Sequence, residues 1–289
     1  MIRVESLVKS FRRNRVLDGL DLEIVAGERV ALVGSNGAGK TTLIRCLLGE
    51  YGAEGRVTID GLSPRERRTE ILQSVGFVPQ LPPALRMPVG ELLGFAATLC
   101  GSDPARMEAV AMELGLEVGP IRGQSFAKLS GGQKQKLLIA VALGREVRLL
   151  IMDEPAANLD PEARLAFFLL LARCGGGVTM LISSHRLDEV ASLVNRVVEL
   201  DRGRVVLDDR VADFGSVGSV LRCRIRLARR EEAVAATLAS WGILPAGDGL
   251  DFEGPVAGPD RLRFFGMLAR YSGLVASVSL DRADHGREC

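Results

Sequence analysis

A chain of 289 residues, 47% hydrophobic and 25% charged, can bury one large core, or one core plus a small satellite domain. Its 37 basic and 36 acidic side chains leave a formal net charge of +1, unlike the basic excess of a dedicated nucleic-acid binder. The opening MIRVESLVKSF lacks a signal peptide's apolar core, and the longest apolar run, Leu165 to Ala172, falls far short of the roughly 18 residues of a membrane span.

Taken in chain order, Ile2 to Phe11 and Val16 to Val25 alternate like strands, and a turn at Ala26-Gly27-Glu28 follows. Arg29 to Val33 is a short apolar strand that runs into a glycine-rich loop, and Thr41 to Leu48 reads as a helix. Strand, loop and helix in that order open an α/β nucleotide-binding core. Val57 to Ile59 and Val75 to Val78 are further strands. Helical periodicity then covers Val89 to Cys100, Ala105 to Leu114 and Gly132 to Leu143, which predicts an inserted helical subdomain. Leu149 to Met152 and Val178 to Ser183 are continuous apolar runs typical of buried parallel strands. Val197 to Asp201 and Arg204 to Leu207 flank a hairpin turn at Arg202-Gly203.

The character changes near Gly215 to Ser219. A strand at Leu221 to Leu227, a helix at Arg229 to Trp241, a short strand at Leu250 to Phe252, a helix at Asp260 to Tyr271 and a strand at Leu274 to Leu280 predict a small α+β domain. Five cysteines, Cys46, Cys100, Cys174, Cys223 and Cys289, stand at neither metal-ligand nor redox spacing. Free thiols in a reducing cytoplasm are expected.

Three motifs carry chemistry. Gly34 to Thr41, GSNGAGKT, fits G-x-x-x-x-G-K-[ST] in full. Its glycines let backbone N–H groups wrap a phosphate chain, Lys40 reaches the β- and γ-phosphates, and the Thr41 hydroxyl suits Mg²⁺. Leu149 to Glu154 is an apolar strand ending in two carboxylates; Asp153 can reach the Mg²⁺ sphere and Glu154 can face an attacking water. Read alone, such a pair is a solvated strand end; beside a phosphate loop it is a magnesium and water site. Ser130-Gly131-Gly132-Gln133 opens a helix and is either an N-cap followed by permissive glycines or a second anion-binding helix start. Two phosphate-binding helix starts with one magnesium strand suit a site shared between two chains.

The motifs GSNGAGKTT, LSGGQ, LLIMDE and SSH, in that order, resemble the ATPase domain of ABC transporters over roughly residues 1 to 215. That resemblance implies an α/β fold: a P-loop NTPase core with an antiparallel β subdomain and a helical subdomain at about 84–145, the α+β domain following at 216–289. It implies ATP and Mg²⁺ as cofactors, with Ser35, Asn36, Gly37, Ala38, Gly39, Lys40, Thr41, Thr42 and Asp153 on the nucleotide. Thr41, Gln80 and Asp153 would serve the metal, Glu154 would polarise the water, His185 would contact the γ-phosphate and Phe11 would stack on adenine in place of the commoner Tyr. Ser130, Gly131, Gly132 and Gln133 would touch ATP held by the partner chain, and Asn158-Leu159-Asp160 would cross the interface. Ala156 stands where the family often has Thr or Ser, which alters a local hydrogen bond.

The partners implied are a separate transmembrane permease and a second copy of the chain, or a similar ATPase, with no nucleic acid. The location implied is the cytoplasmic face of the membrane. Leu81 to Leu85, LPPAL, is an apolar loop suited to docking a permease helix or to ordinary packing. Val89 to Gly101 resembles exporter-type subunits of the drug- and sodium-export kind; accessory ATPases of nitrous-oxide-reductase or cytochrome maturation are candidates within that group. The alternative is a soluble ABC ATPase acting on ribosomes or DNA.

Overall fold

The structure is a computed structural model that describes residues 1–175, 177–185, 190, 193–210, 220–247, 249–257, 264, 267, 268, 271 and 273–282. The chain divides into two compact units, the first made of Met1–His185 with Leu193–Arg210. The expected boundary at residues 215 and 216 lies outside the described residues.

The first unit begins with β1 (Ile2–Phe11), β2 (Asn14–Ile24), β3 (Arg29–Val33), α1 (Lys40–Leu47), β4 (Glu54–Ile59), α2 (Arg68–Gln73) and β5 (Val75–Val78). It continues through α3 (Val89–Cys100), α4 (Pro104–Glu113), α5 (Gly131–Leu143), β6 (Leu149–Asp153), α6 (Pro161–Arg173), β7 (Thr179–Ser183), β8 (Arg196–Asp201) and β9 (Arg204–Arg210). One antiparallel sheet has the order β2-β1-β4; the other has the order β5-β6-β7-β3-β8-β9 and is parallel except for β9. Every residue of β6 and β7 is buried, which is why neither strand alternates in sequence. In β1 the inward set Ile2 and Val4 passes to Leu7 rather than to Ser6. A register shift there, with Ser6 at φ 48°, keeps Leu7 facing the core.

Helices α3, α4 and α5 form their own core around Val89, Leu93, Met107, Phe126 and Leu137. Asp103 caps α4 by accepting from Ala105 N–H at 2.9 Å, and Pro104 occupies the first turn where no N–H is needed.

An ion network centred on the buried pair Arg196 and Glu28 joins the two ends of this unit. Arg196, 8% exposed, donates to Glu28 Oε2 at 2.8 Å and bidentately to Asp208 at 2.7 Å. Glu28 also accepts from Val25 N–H at 3.0 Å and Arg210 at 2.9 Å, closing the turn foreseen at Ala26-Gly27-Glu28. Replacing Arg196 by Ala takes one charged partner from the buried Glu28, which keeps Arg210 and the Val25 N–H, at a cost of about 1–3 kcal/mol. Urea unfolding is expected to show that loss as a lower midpoint with unchanged slope.

The second unit contains β10 (Val220–Leu227), α7 (Glu232–Ser240), β11 (Leu244–Ala246), β12 (Asp251–Ala257) and β13 (Val275–Arg282). Its sheet is antiparallel in the order β11-β12-β10-β13. The alternation in β10 sends Cys223, Ile225 and Leu227 inward onto Val234, Leu238 and Phe252. Arg222 and Arg224 bind Glu253 on the opposite face, and Arg226 binds Asp251. Burial pushes the Cys223 thiol up to about 11. All four cysteines among the described residues are free; Cys289 lies outside them.

Several elements differ from expectation. Helix α6 was not foreseen because LAFFLLLA shows no polar face, although Asp160 and Pro161 are a capping residue and a first-turn proline. The short α2 and β11 gave too few residues for a period to show. α7 starts at Glu232 rather than Arg229, and β12 runs on to Ala257 rather than ending at Phe252. The helix expected at Asp260 to Tyr271 lies largely outside the described residues.

Candidate nucleotide site

Three connections of the first unit meet at one cleft of about 340 Å³, lined by Val16, Ser35–Thr42, Gln80, Asp153 and Glu154. The loop between β3 and α1 has the backbone that its glycines permit. Gly34 has φ +145°, and a Cβ there would stand 2.3 Å from the Leu200 carbonyl oxygen. Gly39 has φ +112°, and a Cβ would press on Leu17 and the Val16 carbonyl. Neither position tolerates a side chain. Gly39 is the N-cap of α1 and supplies no side-chain acceptor, so the first N–H groups of α1 remain for a ligand. The Lys40 ammonium, on a residue 7% exposed, donates to the carbonyls of Gly34 at 2.6 Å and Ser35 at 3.1 Å. It is held at the loop it would serve.

The ends of β6 and β7 bring the acids in. Register pairs Asp153 with Ser183, whose hydroxyl donates to Asp153 Oδ1 at 2.5 Å. Glu154 N–H donates to Ser183 Oγ at 3.0 Å and to the Ser183 carbonyl at 3.2 Å. Glu154 has φ 47°, a left-handed conformation that is unfavourable outside glycine and typical of functional turns. This turn sets its carboxylate on the cleft, where Oε2 lies 2.7 Å from His185 Nδ1. Asp153 is 3% and Glu154 9% exposed, so both acids act in a partly dehydrated setting. A hydroxyl, an amide and a carboxylate, from Thr41, Gln80 and Asp153, line the cleft together; this oxygen donor set fits Mg²⁺.

Other residues singled out in the sequence stand outside this cleft. Ser130 caps α5 in a capping box: Oγ accepts from Gln133 N–H at 3.2 Å while Gln133 Oε1 accepts from Ser130 N–H at 3.0 Å. Gly131 has open space at its Cα, and Ser130 and Gly131 are exposed. Asp160 accepts from Ala163 N–H at 2.8 Å as the cap of α6 and pairs with Lys136 at 2.9 Å. The Lys136 hydrogen bond holds the Asp160 carboxyl below its ordinary range. Ala156 is buried in the turn between Glu154 and Leu159, where backbone bonds from Ala157 to Glu154 and from Leu159 to Ala156 close the loop. Phe11 ends β1 at 41% exposure. Leu81, in the apolar loop after Gln80, is 76% exposed.

Two lining or supporting residues were not assigned from sequence. In sequence Ser183 stands out only as part of SSH, yet it bonds both acids; a hydroxyl ending an otherwise apolar strand is the available signal. Val16 lines the cleft from β2 with nothing in its sequence context to mark it.

A family model described as ABC transporter matches residues 17–157. The aliphatic sulfonates import ATP-binding protein SsuB 1 of Pseudomonas syringae pv. tomato is 35% identical over 234 residues, covering 78% of this chain and 81% of that protein. The chain belongs to the ABC transporter family. As an ABC transporter ATP-binding subunit it has an ATPase fold and a cleft for ATP; a soluble family member acting away from a membrane is not favoured. The cobalt import ATP-binding protein CbiO of Syntrophus aciditrophicus is 35% identical over 265 residues, 88% of this chain and 94% of that protein. Coverage of that extent reaches past Arg210, so the similarity includes part of the second unit. A solved ATP-binding subunit of an ABC transporter, 28% identical, superposes with TM-score 0.66 over 73% of this chain and 90% of that one. The P-loop α/β core with its antiparallel sheet agrees with the expected fold class.

Proposed function

We propose that two copies of this ABC subunit, or one copy and a similar ATPase, enclose ATP head to tail and that hydrolysis drives a separate transmembrane permease from the cytoplasmic face of the membrane. The observation that carries this reading is the exposed start of α5. Ser130, Gly131, Gly132 and Gln133 form a helix N-terminus suited to an anion, yet they lie outside their own chain's cleft. A second chain gives that surface a nucleotide to meet. Among the described residues no helix is long and apolar enough to cross a membrane.

Within the cleft, Lys40 and the amides at the start of α1 hold the phosphates, and the partner's copy of the α5 start closes over the γ-phosphate. Thr41, Gln80 and Asp153 would hold Mg²⁺, which screens phosphate charge when bound. Glu154 accepts a proton from the attacking water or polarises it, and His185, hydrogen-bonded to that carboxylate, orients it. Ser183 fixes both acids from β7. Phe11 offers its ring to the adenine. Asn158, Leu159 and Asp160 cross to the partner. Catalysis is positioning and charge stabilisation, with no covalent intermediate. ATP closes the pair because it binds both chains in the closed state and one in the open state.

Similarity to import subunits lends no support to the exporter-type and maturation-accessory expectations drawn from Val89 to Gly101. Phosphate release by the purified chain tests the proposal. With ATP and excess Mg²⁺, the rate per chain should rise with protein concentration, since two chains build each site, and it should vanish in EDTA. A rate per chain independent of concentration well below the micromolar range would count against the shared site.

A further inference from the structure

We propose that Tyr51 is a positioning residue for the base-stacking ring of Phe11, and through it for nucleotide affinity. This deepens the proposed function and rests on its placement of adenine against Phe11. Phe11 is the last residue of β1, and an aromatic ring at a strand end, 41% exposed, needs packing from neighbouring groups to fix its plane. Tyr51 supplies that packing. The two rings meet edge to face, with centroids 5.3 Å apart and planes at 77°. This is the geometry that ring quadrupoles favour.

Tyr51 is itself held from two sides. Arg45 donates to the Tyr51 hydroxyl at 2.9 Å, and its guanidinium lies 5.4 Å from the Tyr51 ring centroid. Lys9 donates to the Gly52 carbonyl at 2.6 Å, with its ammonium 4.9 Å from the Phe11 centroid and 5.5 Å from that of Tyr51. Cation and edge contacts occupy part of the Phe11 ring and leave its exposed part for a base. Arg45 sits in the last turn of α1, the helix whose first residues, Lys40 and Thr41, line the phosphate cleft. One short helix therefore carries the phosphate contacts at one end and, by way of Arg45 and Tyr51, braces the base platform at the other. The β1–β2 ladder adds a second tie: Phe11 pairs with Asn14, two residues before Val16 of the cleft. A ring set in one plane before the nucleotide arrives loses less freedom on stacking.

The test uses the intact chain with Tyr51→Leu, which keeps apolar bulk and loses the ring, and Tyr51→Phe, which keeps the ring. Steady-state hydrolysis gives KM and kcat for ATP, and inorganic triphosphate with Mg²⁺ serves as a competitor that has phosphates and no base. Tyr51→Leu is expected to raise KM for ATP about threefold to tenfold, the worth of one aromatic pair, with kcat and the triphosphate inhibition constant unchanged. Tyr51→Phe should stay within about twofold of the parent, because the edge contact survives. An unchanged KM in Tyr51→Leu, while Phe11→Ala raises KM, would overturn the positioning role and leave the stacking role standing. An unchanged KM in both variants would remove the stacking role and the inference with it. An equal rise in the triphosphate constant would make Tyr51 a structural support of α1 and would also overturn the proposal.

Discussion

Glu154→Gln is expected to lower ATP turnover about 10²- to 10⁴-fold while leaving ATP binding intact, the range for losing a positioned general base. The argument starts from geometry. Glu154 stands at the β6 end with φ 47°, its N–H on Ser183 and its carboxylate 2.7 Å from His185 Nδ1. Glutamine keeps the shape, and the backbone strain is the same for both residues, so the fold should not distinguish them. An amide cannot accept a proton from water, so the loss falls on the chemical step. Phosphate release in a single turnover is the measurement, and a parental rate would remove Glu154 from its assigned role.

Lys40→Ala should act on binding instead. Lys40 is 7% exposed and its ammonium is held at the loop by the carbonyls of Gly34 and Ser35. Truncating a buried charge that pairs with phosphate costs about 2–5 kcal/mol, or roughly 30-fold and upward in affinity. The amides at the start of α1 and the proposed stacking on Phe11 remain, so binding should weaken without disappearing. Titration with ATP by calorimetry reads the effect. Since the hydrogen bonds of Lys40 among the described residues go to the carbonyls of Gly34 and Ser35, the unfolding temperature should move far less than the affinity does. Affinity equal to the parent's would mean that Lys40 does not meet the nucleotide.

Much of the core was legible in sequence because local chemistry there is uncompromised. The loop from Gly34 to Thr41 needs glycines where a Cβ meets backbone, and that need is visible as a spacing. Strands β3, β6 and β7 are buried on both faces and stand out as unbroken apolar runs. Helix α6 is also apolar on most sides, and there the same signal misleads: Leu165 and Leu169 are 62% and 57% exposed on a helix with no polar face to reveal its period. Ser183 was hidden for a different reason. Its partners, Asp153 and Glu154, are 30 and 29 residues away, and only the parallel register of β6 with β7 brings them together. The contact between Phe11 and Tyr51 is likewise non-local, set by the antiparallel pairing of β1 with β4 just beyond Tyr51.

The pairing of two chains around ATP is tested most directly by the mass of Glu154→Gln in solution. Light scattering should give the mass of one chain without nucleotide and twice that mass at saturating ATP, with Gly132→Asp in the same background returning it to one chain. A Glu154→Gln protein that binds ATP and still keeps the mass of a single chain would contradict the shared site.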